Sequence, residues 1–510
     1  MRRVLKKLFG RTFITALLIL LQVGWLALLI VKLADYSVYI SVAFTALSVL
    51  MMLYLVRKDE NPAYKIGWLV LIGILPLFGG LMYLFVGNKR PARRIRAKLE
   101  GVHARTAPLM EGKEENLAAL HAAFPRAAGT AEYLNRQGAF PLWSATGTRY
   151  YPIGEAFYTD LLKDLKKAEH FIFIEFFIIA GGKMWGGILD ILRQKSADGV
   201  DVRVIYDDVG SIDRLPMGYA AQLEEMGISC LAFNPFIPVM SMAMNNRDHR
   251  KIVVIDGHTA YSGGVNLGDE YINELPRFGH WKDNGFRLHG EGVWNYTVMF
   301  LEMWNAFRQT DDGISRFKPH AYHQESFEAD GFIQPFGDSP LDGEALSENV
   351  YLELLNQAQK RVYIYTPYLA ISHEMHTALV LAAKRGVDVR LITPGIPDKP
   401  LVYRLTRSHY RPLLEAGVRI YEYSPGFLHA KSYLCDDELA VVGTINMDFR
   451  SLYLHFECGT VFYGSSLIGE LREDMADTME KSREVGLSDC RQGFFGALVD
   501  AVLRVFAPLL

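Results

Sequence analysis

Two segments of this 510-residue chain carry the same set of reactive side chains in the same register, 180 residues apart: HRKIVVIDGHTAYSGGVN from His249 to Asn266 and HAKSYLCDDELAVVGTIN from His429 to Asn446. Both read HxKxxxxDxxxxxxGxxN, so His249, Lys251, Asp256, Gly263 and Asn266 match His429, Lys431, Asp436, Gly443 and Asn446. Such a pair suits in-line displacement at a phosphodiester, which needs a nucleophile on one side of phosphorus and a proton donor on the other. Two histidines supply both roles. In a strand, the period of two puts each Lys on the same face as its His, where the ammonium holds a phosphate oxygen. Asp256-Gly257 and Asp436-Asp437 are turn dipeptides, which sets both aspartates of this catalytic set at a strand end, where they organise the site rather than contact phosphorus.

A single HxK is more often a surface strand carrying a His and a Lys; the duplication is what reverses that reading. Histidine and aspartate are also metal ligands, but each copy sets a Lys beside the His, and an ammonium repels a divalent cation and substitutes for its charge. With no HExxH or CxxC in the chain, metal-independent chemistry is expected. No GxxxxGK phosphate loop is present, so neither ATP nor NAD is implied as a cofactor.

The elements that must position these residues are duplicated too. AEHFIFIEFF from Ala168 matches AQKRVYIYTPY from Ala358, DGVDVRVIYD from Asp198 matches RGVDVRLITP from Arg385, and GISCLAFNP from Gly227 matches GVRIYEYSP from Gly417. Alternation of such apolar, β-branched runs with helical stretches predicts two α/β halves around sheets, related by a pseudo-twofold axis. The first half holds ten extra residues before its motif, including Phe236, Ile237, Val239, Met240, Met242 and Met244. This stretch is either core filler or a lipid-facing lip beside the site. Beyond the motifs, Asp283 stands seven residues before Gly290 and Glu457 seven before Gly464, a second acidic pair.

The paired HxKxxxxD motif resembles that of the phospholipase D superfamily, and over nearly its whole length the chain is similar to the bacterial cardiolipin synthases within it. The resemblance implies an α/β fold of two pseudo-symmetric phospholipase D-like halves forming one catalytic unit, preceded by N-terminal transmembrane helices. It implies that His249 forms a phosphohistidine while His429 protonates the leaving alcohol and then activates the incoming one. Asp283 and Glu457 would hydrogen-bond the histidines and fix their tautomers. Lys251 and Lys431, with Asn266 and Asn446, would stabilise charge on the phosphate oxygens. The implied reaction joins two phosphatidylglycerols with release of glycerol. Since one phosphodiester becomes another, no energy-supplying cofactor is called for. Another phosphatidyltransferase, such as a phosphatidylserine synthase, a hydrolytic phospholipase D, and a membrane-anchored nuclease are the alternatives.

Half of the residues are hydrophobic and mean hydropathy is +0.08, with the apolar excess before residue 90. Phe13 to Val31, Tyr36 to Val56 and Ile66 to Val86 each reach the length of about 20 residues that a bilayer requires. No AxA-like cleavage site follows the first, so they read as retained anchors of a multi-pass cell-membrane protein. The third, with Trp68, Pro76, Gly79 and Gly80, is a kinked span or a re-entrant segment. Lys and Arg flank both ends of the block, and the positive-inside tendency wants both flanks cytoplasmic; three full spans would separate them, so two to three true spans are expected, with the catalytic part on the cytoplasmic side. Residues 1–98 carry 15 Lys and Arg against 3 Asp and Glu, leaving 39 against 54 in the remainder. An acidic catalytic part argues against nucleic acid as partner, while the basic flank suits anionic lipid. The domain limits expected are 1–90 anchor, 91–148 a linker with some helix, 149–330 first half, 331–493 second half and 494–510 an apolar helix that caps the core or lies on the membrane. Cys230, Cys435, Cys458 and Cys490 are scattered and read as small core residues rather than a disulfide framework. The histidines at 289 and 455, although near the motifs, carry no assigned role.

Overall fold

The computed structural model describes residues 38–59, 61–86, 90–236, 242–308 and 313–509, together with isolated positions between 20 and 31. Each half builds one mixed sheet. In the first, the strand order is Thr146–Tyr151, Gly285–Gly290, Thr259–Gly263, Lys251–Ile255, Phe171–Phe176, Asp201–Asp207 and Ser229–Phe233. In the second it is Phe332–Asp338, Glu457–Tyr463, Leu439–Gly443, Ser432–Cys435, Arg361–Tyr365, Asp388–Pro394, Arg419–Tyr423 and a short edge, Ser482–Glu484. Apart from that edge, the two orders match strand for strand, which is the pseudo-symmetry the repeats imply. Leaving that antiparallel edge aside, the three strands at one end of each sheet run parallel through helical crossovers, and the motif strands join them antiparallel.

The strand Phe171–Phe176 is buried along its whole length, as expected of a central strand covered on both faces. Between the sheets lie two helices, Val293–Arg308 and Leu467–Glu480, each following the acidic strand of its half. The first is buried around almost its whole circumference, and one apolar cluster draws on both sheets and both helices. The halves therefore share a core. Asn295, fully buried on the first helix, accepts from Trp143 Nε1 at 2.8 Å and donates to the Pro335 carbonyl at 2.7 Å, tying the first half to the edge strand of the second.

Residues 91–148, expected as a linker, form the helices Arg90–Thr106, Glu114–Ala123 and Ala128–Gly138, all packed on the catalytic body. His103 bonds Glu302 at 2.9 Å, and Gln334 donates to the carbonyls of Ala131 and Phe140 at 3.0 and 2.8 Å. Charged residues on the outer faces obscure this packing in the sequence pattern.

The expected first span lies mostly outside the described residues. The second is the helix Val38–Arg57. The third is not a single helix: it divides into Pro62–Ile74 and Pro76–Val86, of 13 and 11 residues. Pro76, with no N–H to donate, opens the second piece, and the first ends before it. Gly79 then packs on the backbone of Ile72, where a Cβ would come within 2.7 Å. At 1.5 Å per residue neither piece reaches the roughly 30 Å of a hydrocarbon core. Among the described residues no helix is long and apolar enough to cross a membrane. Residues 237–241 of the Met-rich insertion also lie outside the described set.

The helix Phe494–Phe506 leaves Phe494, Phe495, Leu498 and Val502 exposed and so does not cap the core with its apolar face. It is anchored instead by Asp500, which accepts from Arg404 and Gln492 at 2.7 Å each.

Candidate active site

Both HxK motifs sit where the halves meet, and each is docked on the opposite half. The His249 N–H donates to the Phe456 carbonyl at 2.9 Å, and the His429 N–H to the Lys282 carbonyl at 2.7 Å. Gly426–Leu428, leading into the second motif, pairs in parallel with His280–Lys282. The strands proper begin at Lys251 and Ser432, so the histidines lie just ahead of them rather than within them as the periodicity predicts.

The acidic pair crosses over in the same way. Glu457 of the second half faces His249 Nδ1 with both oxygens at 2.9 Å, and Asp283 of the first half lies 2.6 Å from His429 Nδ1. A carboxylate accepting from Nδ1–H leaves the Nε2 lone pair of each imidazole for chemistry. Both carboxylates are fully buried, and each has its own support. Thr444 donates to Glu457, whereas Asp283 accepts from the Asn284 N–H at 3.0 Å. Gly264, at the position matching Thr444, leaves room for Asp283: a Cβ there would meet its Oδ1 at 2.0 Å. The motif glycines have a related reason. A Cβ on Gly263 would strike the Cα of Gly285 at 2.4 Å, and one on Gly443 the Cys458 carbonyl at 2.5 Å, so both permit close approach of the acidic strand.

Burial and like charge set the electrostatics. Burial first, and then Lys251, Lys431 and His429, hold His249 well below the ordinary histidine range. Burial and Lys431, opposed by Asp283, bring His429 down to about 4. Burial lowers Lys251 to about 8 and Lys431 to about 7. Although burial pushes Asp283 upward, His429 and Lys431 outweigh it and keep the carboxyl below its usual value. The site thus presents neutral imidazoles backed by carboxylates and two ammonium groups, each resting on its own motif's histidine carbonyl, Lys251 Nζ at 2.8 Å. Such a site waits for an anion.

His249, His429, Asn266 and Asn446 line one cavity of about 630 Å³. Asn266 accepts from the Ile178 N–H at 3.2 Å and donates to Tyr271 at 2.9 Å; the buried Asn446 Oδ1 has no partner among the described residues. Of the ten residues singled out in the sequence, eight converge here. Asp256 and Asp436 do not. They occupy left-handed turn positions, φ +48° and +53°, at the far end of the motif strands. Asp256 accepts the N–H groups of Glu169, His170 and Phe171, each at 2.8 Å, and Asp436 those of Gln359, Lys360 and Arg361 at 2.7–3.1 Å. They staple the motif strand to the start of the central strand and touch no reacting atom.

The sequence did not single out Thr444 or the rings around the histidines. Tyr271, Trp281 and Phe427 stand 5.3–5.9 Å from His429, and Phe177 and His455 stand 5.0 and 5.5 Å from His249. The spacing of His455 and Trp281, two residues before Glu457 and Asp283, is the signal that would have found both. His249, His455 and Glu457 also bring ligand atoms within 4.8 Å of one another. For a divalent cation this donor set is of the right type but poorly placed, since Lys251 and Lys431 both bear on His249.

A family model described as "Cardiolipin synthase, PLD-like domain" matches residues 161–275 and 351–479, and one described as "Phospholipase D-nuclease N-terminal" matches 46–88. The chain is 43% identical to an uncharacterized protein of Streptococcus mutans over 90% of its length and 99% of the relative's. It is 34% identical to cardiolipin synthase 2 of Bacillus cereus, covering 92% and 91%. To the cardiolipin synthase of Alkalihalophilus pseudofirmus it is 32% identical, covering 92% and 94%. Among solved structures, the phosphatidylserine synthase of Haemophilus influenzae shares the fold, with a TM-score of 0.56 at 15% identity over 75% of this chain and 98% of that one. With its two repeats, its crossed histidine–carboxylate pairs and these relatives, the chain belongs to the bacterial cardiolipin synthases of the phospholipase D superfamily.

Proposed function

We propose that the site moves a phosphatidyl group from one phosphatidylglycerol to another, giving cardiolipin and glycerol. The observation that carries this reading is the crossed pair: two imidazoles on one cavity, each held by a carboxylate of the opposite half and neighboured by a buried lysine. In the first step an imidazole nitrogen, assigned by resemblance to His249, bonds to phosphorus as the P–O bond to glycerol breaks. His429 gives its proton to the departing oxygen. In the second, the hydroxyl of another phosphatidylglycerol returns a proton to His429, its oxygen bonds to phosphorus and the P–N bond breaks. An anionic phosphodiester beside His429 raises the depressed pKa of that imidazole, so substrate binding itself helps load the proton to be delivered. Lys251, Lys431 and Asn446 supply the charge and the donor group for the phosphate oxygens.

Membrane association is part of the same proposal, with a multi-pass anchor and the catalytic part on the cytoplasmic side. It is supported by the exposed apolar side chains of the helix Val38–Arg57, among them Val42, Leu50 and Leu53, and by the basic flanks of residues 1–98. The acidic balance of the rest disfavours a nucleic-acid substrate. The test is mass spectrometry of products after incubation with phosphatidylglycerol vesicles, beside His249→Ala and His429→Ala. Cardiolipin and free glycerol, lost in both variants, are expected. Phosphatidic acid as sole product would mean a phospholipase D, and a product made only on addition of serine a phosphatidylserine synthase.

A further inference from the structure

The pseudo-twofold that relates the two motifs pairs His455 with Trp281: each stands two residues before the acid of its half and beside the histidine that the acid holds. The pairing is chemically unequal. Trp281 offers one N–H, directed 3.4 Å to Asp283, and with Tyr271 and Phe427 makes an aromatic wall around His429. His455 offers a donor and an acceptor, is more than nine-tenths buried, and lines the cavity. Neither of its ring nitrogens has a hydrogen-bond partner among the described residues. Its Nδ1 lies 3.8 Å from Glu457 Oε1, too long for a hydrogen bond.

A buried polar group without a partner is costly, so it marks a place where something else completes the bonding. The chemistry of the gap narrows the occupant. Phosphate oxygens accept only and would satisfy the N–H alone. A cation would satisfy the lone pair alone, against the fields of Lys251 and Lys431. A hydroxyl-bearing head group gives both, since each hydroxyl donates and accepts. Burial also brings His455 down to about 4, leaving the ring neutral with one donor and one acceptor at pH 7.

Resting on the phosphatidyl-transfer reading above, we propose that His455 is a specificity residue that binds the glycerol hydroxyls of the lipid head group beside His249, so that the enzyme selects polyols over simple alcohols. The asymmetry then has a use: one side of the phosphorus site is aromatic, and the other reads hydroxyl groups.

The experiment uses the full-length protein in phosphatidylglycerol vesicles with equal concentrations of deuterated glycerol and 1-propanol. Head-group exchange yields labelled phosphatidylglycerol from the first and phosphatidylpropanol from the second, both counted by mass spectrometry. The unaltered protein should favour glycerol. His455→Phe, which keeps a ring beside Phe177 but loses both nitrogens, should lower the ratio of glycerol to propanol product about three- to tenfold, the worth of one or two hydrogen bonds. His455→Asn, which restores a donor and an acceptor, should recover much of it. Equal use of the two alcohols by the unaltered protein overturns the assignment without recourse to any variant. So does an equal fall of both products in His455→Phe with the ratio unchanged, which would mark a purely structural role. If the unaltered protein makes neither product and no cardiolipin, the transfer reading itself fails.

Discussion

Each catalytic imidazole depends on a carboxylate from the other half, and this exchange makes specific demands on single side chains. Asp283→Asn should perturb His429 and leave His249 in its native tautomer, while Glu457→Gln should do the reverse, as read from imidazole ¹⁵N chemical shifts; effects on the same-half histidine would contradict the crossed pairing. An amide holds the ring in the wrong tautomer, so kcat should fall roughly 10²- to 10⁴-fold in either variant, with a much smaller change in KM. The lysines govern the alkaline side. With Lys431 near 7 and Lys251 near 8 in the free enzyme, kcat/KM should decline as pH rises through 7 to 8 and the phosphate-holding ammonium groups lose their protons. A pH–rate profile flat to pH 9 would show that neither charge matters. The same depression bears on folding. Between about pH 7 and the ordinary lysine range the unfolded chain binds a proton that folded Lys431 does not, so this residue makes stability rise with pH there. At pH 7 and below its charge is a buried liability. Lys431→Met should therefore abolish transfer yet raise the melting temperature at pH 7, with the gain shrinking towards pH 10.

The strands and turns that carry these side chains were legible in the sequence to different depths. The repeats located the central strands and both motif strands, because fully buried runs such as FIFIEF are read directly. The turn dipeptides likewise placed Asp256 and Asp436 at strand ends, away from phosphorus. What a linear pattern does not contain is which half's acid meets which half's histidine, since that follows from the shared core around Asn295 and the two inter-sheet helices. For the same reason His455 and Trp281 were given no role: their spacing from the acids was present, but an unpartnered ring nitrogen exists only in three dimensions. The third apolar run, expected as a kinked span or a re-entrant segment, breaks where its Pro76 stands, into two helices too short to span singly. The staples themselves can be tested. Asp436→Ala removes three backbone hydrogen bonds to a carboxylate and sets a Cβ-bearing residue without a polar side chain at φ +53°, so it should cost about 2–4 kcal/mol of stability by denaturant unfolding. Asp436→Asn, which tolerates that backbone and keeps an acceptor, should lose less than half as much; equal losses would mean the charge, not the turn, is what matters.

The assembled molecule places its apolar surface next to its cavity. The helix Phe494–Phe506 lies against Pro62–Ile74, and Ala507, just beyond its end, lines the same cavity as the two histidines. Tyr64 of the helix Pro62–Ile74 packs edge-on against Phe449 and Tyr453, so that helix and the C-terminal helix meet the catalytic body at one place. Asp500 faces inward to Arg404 and fixes the rotation of the C-terminal helix, which turns Phe494, Phe495, Leu498 and Val502 outward. A row of exposed aromatic and aliphatic side chains beside a lipid-cleaving cavity fits an interfacial helix that sets the depth at which a head group enters. If so, Phe494→Ser/Phe495→Ser/Leu498→Ser should weaken binding of the protein to phosphatidylglycerol vesicles and cut cardiolipin formation from them by at least about tenfold, as expected when several buried apolar side chains are lost from an interface. Transfer from a short-chain, monomerically dispersed phosphatidylglycerol should change by less than about twofold, since the cavity and its histidines are untouched. Equal losses on both substrates would place the helix in the folding of the site, and no loss on either would remove it from substrate capture.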